Sequence, residues 1–173
     1  MLSRIVKAFA WGLLILLAQI VLAPLLAIKG IRPDLLLIFV ISMAIRRGSY
    51  AGLAAGFVAG LAQDIISVGF IGVLALSKST VAFWAGRFVE KQETAVGPFG
   101  WFILLFFAAL VQDFIATLFL LQGSPIGLFE YLFFNVLPAA LYTGVIGYLW
   151  ALAPVGKRRT DRQVSVRSKR IMR

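Results

Sequence analysis

The stretch GSYAGLAAGFVAGLAQDII, residues 48–66, places glycine at every fourth position, at Gly48, Gly52, Gly56 and Gly60, and an aspartate, Asp64, on the next step. An α-helix turns once every 3.6 residues, so such a ladder drifts by about 40° per step. It is an inclined ridge that a crossing helix can follow, not a straight line. In a membrane, lipid tails give two helices no hydrophobic reason to associate, and small residues four apart let their backbones approach closely. Gly52, Gly56 and Gly60 are read on that ground as a helix-packing face, used within a bundle or by a partner.

The sequence on either side is of the same character. The chain has 173 residues, 61% hydrophobic and 14% charged, with a mean hydropathy of +0.97, far outside the range of soluble domains. It reads as an all-α, polytopic membrane protein. Residues 1–156 form one membrane domain and residues 157–173 a basic cytoplasmic tail, with no soluble module of useful size. Cys and His are absent, which excludes disulfides, thiol chemistry and imidazole acid–base work. The opening SRIVK and the apolar run after it have the outline of a signal peptide. The run of about 20 residues exceeds the usual core of about 7–15, however, and no small-residue cleavage site follows. It is expected to be a retained span.

A spanning helix needs about 20 apolar residues. Six spans are expected, at 6–28, 33–46, 49–66, 70–88, 99–121 and 128–153. The second is the shortest. Its run DLLLIFVISMAI lies between Pro33 and Arg46–Arg47 and with those flanks reaches roughly 22 Å. It is either a short true span or a re-entrant element. Basic residues set the orientation. With the N-terminus inside, the inner segments hold Arg4, Lys7, Arg46, Arg47, Arg87, Lys91 and the tail, whereas the outer loops hold only Lys29 and Arg32. That follows the positive-inside rule and puts both termini in the cytoplasm. The tail GKRRTDRQVSVRSKRIMR has eight Lys/Arg against one Asp. Such a run beside a span attracts anionic lipid. With no folded reading element or aromatic platform, nucleic acid is not an expected partner.

Asp64, Lys78 and Asp113 are ionisable groups inside expected spans, where charge is costly and usually faces the protein interior. At 1.5 Å per residue, Lys78 and Asp113 lie at a similar depth, about 12 Å below the outer ends of their spans, and Asp64 about 3 Å below. Depth thus allows Lys78 and Asp113 to pair, with Gln63 and Gln112 adding interhelical hydrogen bonds. The network is either a proton or substrate relay or a fixed ion pair that docks hairpins. No Glu or His continues a path toward the cytoplasm, which favours the fixed pair. Pro33 and Asp34 start the second span at the outer surface, where Asp34 is expected to cap the helix. GLAQDII (60–66) also aligns with ALVQDFI (109–115), and each precedes an Ile-Gly pair, Ile71–Gly72 and Ile126–Gly127. That is the pattern of two hairpins in parallel repeat. Walker, nucleophile-elbow, metal-ligand and dinucleotide motifs are missing. No catalytic residue, cofactor or metal is expected, and the chain reads as non-enzymatic.

The order IRPDLLLIFVISMAIRRG, GLAAGFVAGLAQDIIS and IGVLALSKSTVAFWAGR, from Ile31 to Phe88, resembles the bacterial rod shape-determining protein MreD family. Pro33–Asp34, the basic pair, Gly52, Gly56–Phe57, Gly60, Asp64, Gly72 and Ala75–Leu76 occupy that family's pattern; Lys78 and the basic tail are not part of it. The resemblance implies a scaffold subunit of the elongation machinery, the elongasome, in the bacterial inner membrane, regulating cell shape and lateral peptidoglycan synthesis. The partners it implies are the single-pass protein MreC and, directly or indirectly, MreB, RodA and a class B penicillin-binding transpeptidase. The implied fold is similar to the S component of energy-coupling-factor transporters. A substrate-binding subunit of a vitamin-type transporter is therefore the alternative, and the short outer loops weigh against it.

Overall fold

The computed structural model describes residues 2–67, 70–91, 96–121 and 127–152. Among them the chain is all-helical, with six helices: α1 (Leu2–Leu25), α2 (Leu35–Arg47), α3 (Ser49–Ile66), α4 (Val73–Lys91), α5 (Pro98–Leu120) and α6 (Leu128–Leu152). Three are long and apolar enough to cross a membrane: α3, α5 over Pro98–Phe119, and α6. The apolar part of α1, Ala10–Leu25, is shorter. The basic tail, 157–173, lies outside the described residues.

Turn chemistry decides where α2 begins. After α1, Ile28 and Ile31 exchange backbone hydrogen bonds of 3.1 and 3.0 Å across Lys29 and Gly30, whose φ values are 52° and 85°. Two consecutive left-handed residues make the tight reversal of a type I′ turn. Residues 31–34 then run back into the bundle, and α2 starts only at Leu35. A single residue, Gly48 at φ 98°, joins α2 to α3, a conformation that any side chain would strain.

The centre of the bundle is α2. Its Leu36, Leu37, Val40, Ile41 and Ala44 have almost no exposed surface. Leu37, Val40, Ile41 and Ala44 cluster with Val81, Ala82 and Ala85 of α4, Leu105 and Ala108 of α5, and Ala140 of α6. All five other helices touch α2. The other helices thus surround this short helix.

On α3, Gly52, Gly56 and Gly60 are buried along one face. A Cβ at Gly56 would stand 2.8 Å from the carbonyl oxygen of Lys78 and from Ser79 Cα. One at Gly60 would stand 2.5 Å from Ala75 Cα, and one at Gly52 would stand 2.8 Å from Ala44 Cα and 3.2 Å from the Ala82 carbonyl oxygen. Contacts on α4 move backward as α3 advances, so the two helices form an antiparallel hairpin. The glycine face is filled from within the chain, by α4 and the end of α2.

Each helix of this hairpin caps the other. The first amides of a helix have no partner inside it. Asp64, near the end of α3, accepts from the backbone N–H groups of Gly72 (2.9 Å), Leu74 (3.1 Å) and Ala75 (3.0 Å) at the start of α4. Glu90, near the end of α4, accepts from the Ser49 N–H (2.8 Å) and hydroxyl (3.3 Å) at the start of α3. The Ser49 amide, foremost, holds the Glu90 carboxyl below its ordinary value.

One turn of α6 is widened, at Leu132–Val136. Pro138 has no N–H, and its ring crowds the carbonyl four residues back. The Leu137 N–H instead reaches the Leu132 carbonyl, five residues back, the bonding of a π-turn.

Candidate functional site

Polar side chains from four helices converge on the start of α2. Asp34 Oδ1 accepts from the Leu37 N–H at 2.8 Å, the geometry of a helix N-cap. Its Oδ2 accepts from Gln112 Nε2 of α5 at 2.8 Å and from Lys78 Nζ of α4. Its backbone N–H donates to Thr143 Oγ1 of α6 at 3.1 Å. From α1, Gln19 donates to the Pro33 carbonyl at 3.2 Å and accepts from the Leu35 N–H at 2.7 Å. Lys78 is fully buried and also donates to Gln112 Oε1 at 3.0 Å. The second hydrogen of the Gln112 amide goes to Asp113 Oδ1 at 3.1 Å. A buried charge is tolerable only when paired and hydrogen-bonded, and Lys78 meets both conditions through Asp34 and Gln112.

Depth alone allowed Lys78 and Asp113 to be partners. The structure pairs Lys78 with Asp34 and joins Asp113 to it only through Gln112. Depth counting placed Asp34 at the outer surface. The I′ turn carries it inward before α2 begins, so that Pro33 is fully buried and the Asp34 side chain is 17% exposed. Asp34 is a cap, but an interior one.

Asp64 is not a member of this cluster, because its carboxylate is engaged by the α4 amides. Asp64 and Asp113 align in the repeat yet differ in role. The short turn after α3 brings fresh amides to Asp64, whereas Asp113 lies well inside α5. Ile126 of the repeat lies outside the described residues. Gln63 joins no hydrogen-bonded network through its oxygen: Oε1 is buried without a partner. Sequence reasoning missed Gln19 and Thr143. The available signal for Gln19 was a single amide side chain in the apolar stretch Ala10–Leu25.

Above the cluster, at the end of the bundle where α2 starts, lies a cleft of about 440 Å³. Its lining includes Gln19, Arg32, Gln63, Ser67, Asp113 and Thr143. Among the described residues no group of three His, Cys, Asp or Glu is placed to hold a metal ion. The arrangement fixes charges in place and ties α2 to α1, α4, α5 and α6.

The family model described as rod shape-determining protein MreD matches residues 3–153. No curated protein and no solved structure matches the chain.

Proposed function

The chain belongs to the MreD family of rod shape-determining membrane proteins, and from that premise we propose that it is a non-enzymatic scaffold subunit of the elongasome in the bacterial inner membrane. In this reading it binds the single-pass protein MreC and thereby regulates lateral peptidoglycan synthesis. MreB, RodA and the class B transpeptidase are direct or indirect neighbours. The proposed topology is six spans with both termini in the cytoplasm, in a fold similar to transporter S components. The basic residues support that topology through the positive-inside rule, and the tail adds attraction to anionic lipid.

The observation that carries the structural role is the closed triangle of bonds at the polar core. Lys78, Asp34 and Gln112 bond to one another across α4, α2 and α5. A relay needs groups free to exchange protons in sequence; this cluster instead locks helices together. Because α4 fills the glycine face, contacts with a partner fall to the outward faces of the bundle.

Two measurements test the proposal. Affinity-tagged chain, extracted in mild detergent, should retain a stoichiometric single-pass partner. The gene should also restore rod shape to cells that lack their own copy. If Lys78→Met folds with normal stability and captures the partner but fails to restore shape, the polar core acts in function and not merely in structure, and the static reading falls.

A further inference from the structure

The cleft above the polar core has an imbalance that the fold itself does not resolve. Two carboxylates, Asp34 and Asp113, face one ammonium, Lys78, and Asp34 takes it. Asp113 keeps a single hydrogen bond among the described residues, from Gln112 Nε2. Among the described residues no donor reaches Gln63 Oε1, which is buried. Both side chains line the same cleft. The Gln112 amide has no hydrogen left for them, one being given to Asp34 and one to Asp113. An unpaired acceptor away from water is costly. The surplus on the cleft wall is therefore acceptor capacity: a carboxylate with open lone pairs and an orphan amide oxygen. The lining has one cation, Arg32, which has no partner among the described residues, is exposed and stands at the mouth. The volume, about 440 Å³, lies within the roughly 300–1,000 Å³ of small-ligand sites.

We propose that this cleft binds a zwitterion with a primary ammonium and an adjacent anionic group, of the phosphoethanolamine type. The ammonium enters first and donates to Asp113 and, once the Gln63 amide turns its buried oxygen toward the cleft, to Gln63 Oε1; the anionic group stays at the mouth, against Arg32. A primary ammonium carries three N–H donors and one positive charge, which answers both the orphan oxygen and the unmatched carboxylate. A quaternary ammonium has the charge but no N–H, so a choline headgroup does not satisfy Gln63. The ligand's source is either a lipid headgroup or a free zwitterion, and the site chemistry is the same for both. The inference does not depend on the scaffold role, since it concerns the isolated chain.

The test uses the full chain purified in detergent, with its melting temperature followed as ligand is added. Phosphatidylethanolamine should raise it in a saturable way, while phosphatidylcholine and phosphatidylglycerol of the same acyl chains should not. Soluble phosphoethanolamine added alone separates the sources: an equal shift indicates a free zwitterion, and no shift indicates a lipid, either supporting the site. Gln63→Leu removes the orphan oxygen, so it should leave or raise the starting melting temperature and cut the phosphatidylethanolamine shift by at least half. Asp113→Asn should abolish the shift. Equal shifts with ethanolamine and choline headgroups overturn the proposal. So does no shift with any amine, or a full shift in a folded Gln63→Leu protein.

Discussion

The ammonium of Lys78 is paired with the carboxylate of Asp34, 44 residues earlier in the chain, at a point where Lys78 has no exposed surface. Removing one partner of a buried pair costs up to about 3–5 kcal/mol, while removing both is often near neutral. Polar contacts between membrane helices average only about 0.6 kcal/mol, so the sign is the firmer expectation. Lys78→Met should lower the melting temperature in detergent, and adding Asp34→Asn should recover part of the loss. Adding Asp113→Asn to Lys78→Met should recover less, because Asp113 does not touch Lys78. Strictly additive losses for Lys78→Met and Asp34→Asn would show that the pair is not coupled.

A Cβ added at Gly56 would fall within 2.8 Å of the backbone of Lys78 and Ser79. Overpacking typically costs about 1–3 kcal/mol, and here the neighbour is backbone, which yields poorly. Gly56→Leu should cut the yield of folded protein sharply and Gly56→Ala less so. Ala54→Leu, on the exposed face of the same helix, serves as the control and should be neutral. Equal behaviour of the two leucine variants would place lipid, not α4, against Gly56.

Asp64 holds three amides of the neighbouring helix. Losing a side-chain cap costs about 0.5–2 kcal/mol. Asp64→Leu should therefore destabilise the protein, and amide exchange at Gly72, Leu74 and Ala75 should speed up beyond that at the centre of α4. Unchanged exchange at those three amides would contradict the cap.

Glu90 caps the other end of the hairpin from an exposed position. Its folded-state carboxyl titrates below its ordinary 4.5. A lowered acid value means that its stabilising effect is present above about pH 4.5 and disappears as pH falls through the folded value. Glu90→Gln should reduce stability at neutral pH, and the gap from the parent should close in acid. A gap that stays constant however far the pH is lowered would assign the loss to packing.

The all-helical class and the buried glycine face were legible because both are periodic: hydropathy marks helices, and small residues at every fourth position mark close approach. The partner of Lys78 was not legible. Depth counting treats each helix as starting at the surface, and it cannot see that Lys29 and Gly30 turn the chain back inward. The two caps of the α3–α4 hairpin were equally hidden. Asp64 looked like an intramembrane charge because its recipients, the amides of Gly72, Leu74 and Ala75, carry no side-chain signature. Gln19 and Thr143 drew no attention because each acts on backbone or cap atoms of α2.

The recessed start of α2 also bears on how the protein is made. Asp34 leaves the ribosome 44 residues before Lys78 and 78 before Gln112. Ordered synthesis thus delivers a carboxylate to the bilayer before either of its companions exists. Until α4 and α5 arrive, α2 has no protein shell and its leading acid has no counter-charge, so that acid must wait at the water boundary. In the proposed six-span topology, insertion of this segment is expected to finish only once α4 and α5 are in place. Chains truncated before Lys78 should therefore be cleared faster in a pulse-chase than chains that extend past α5.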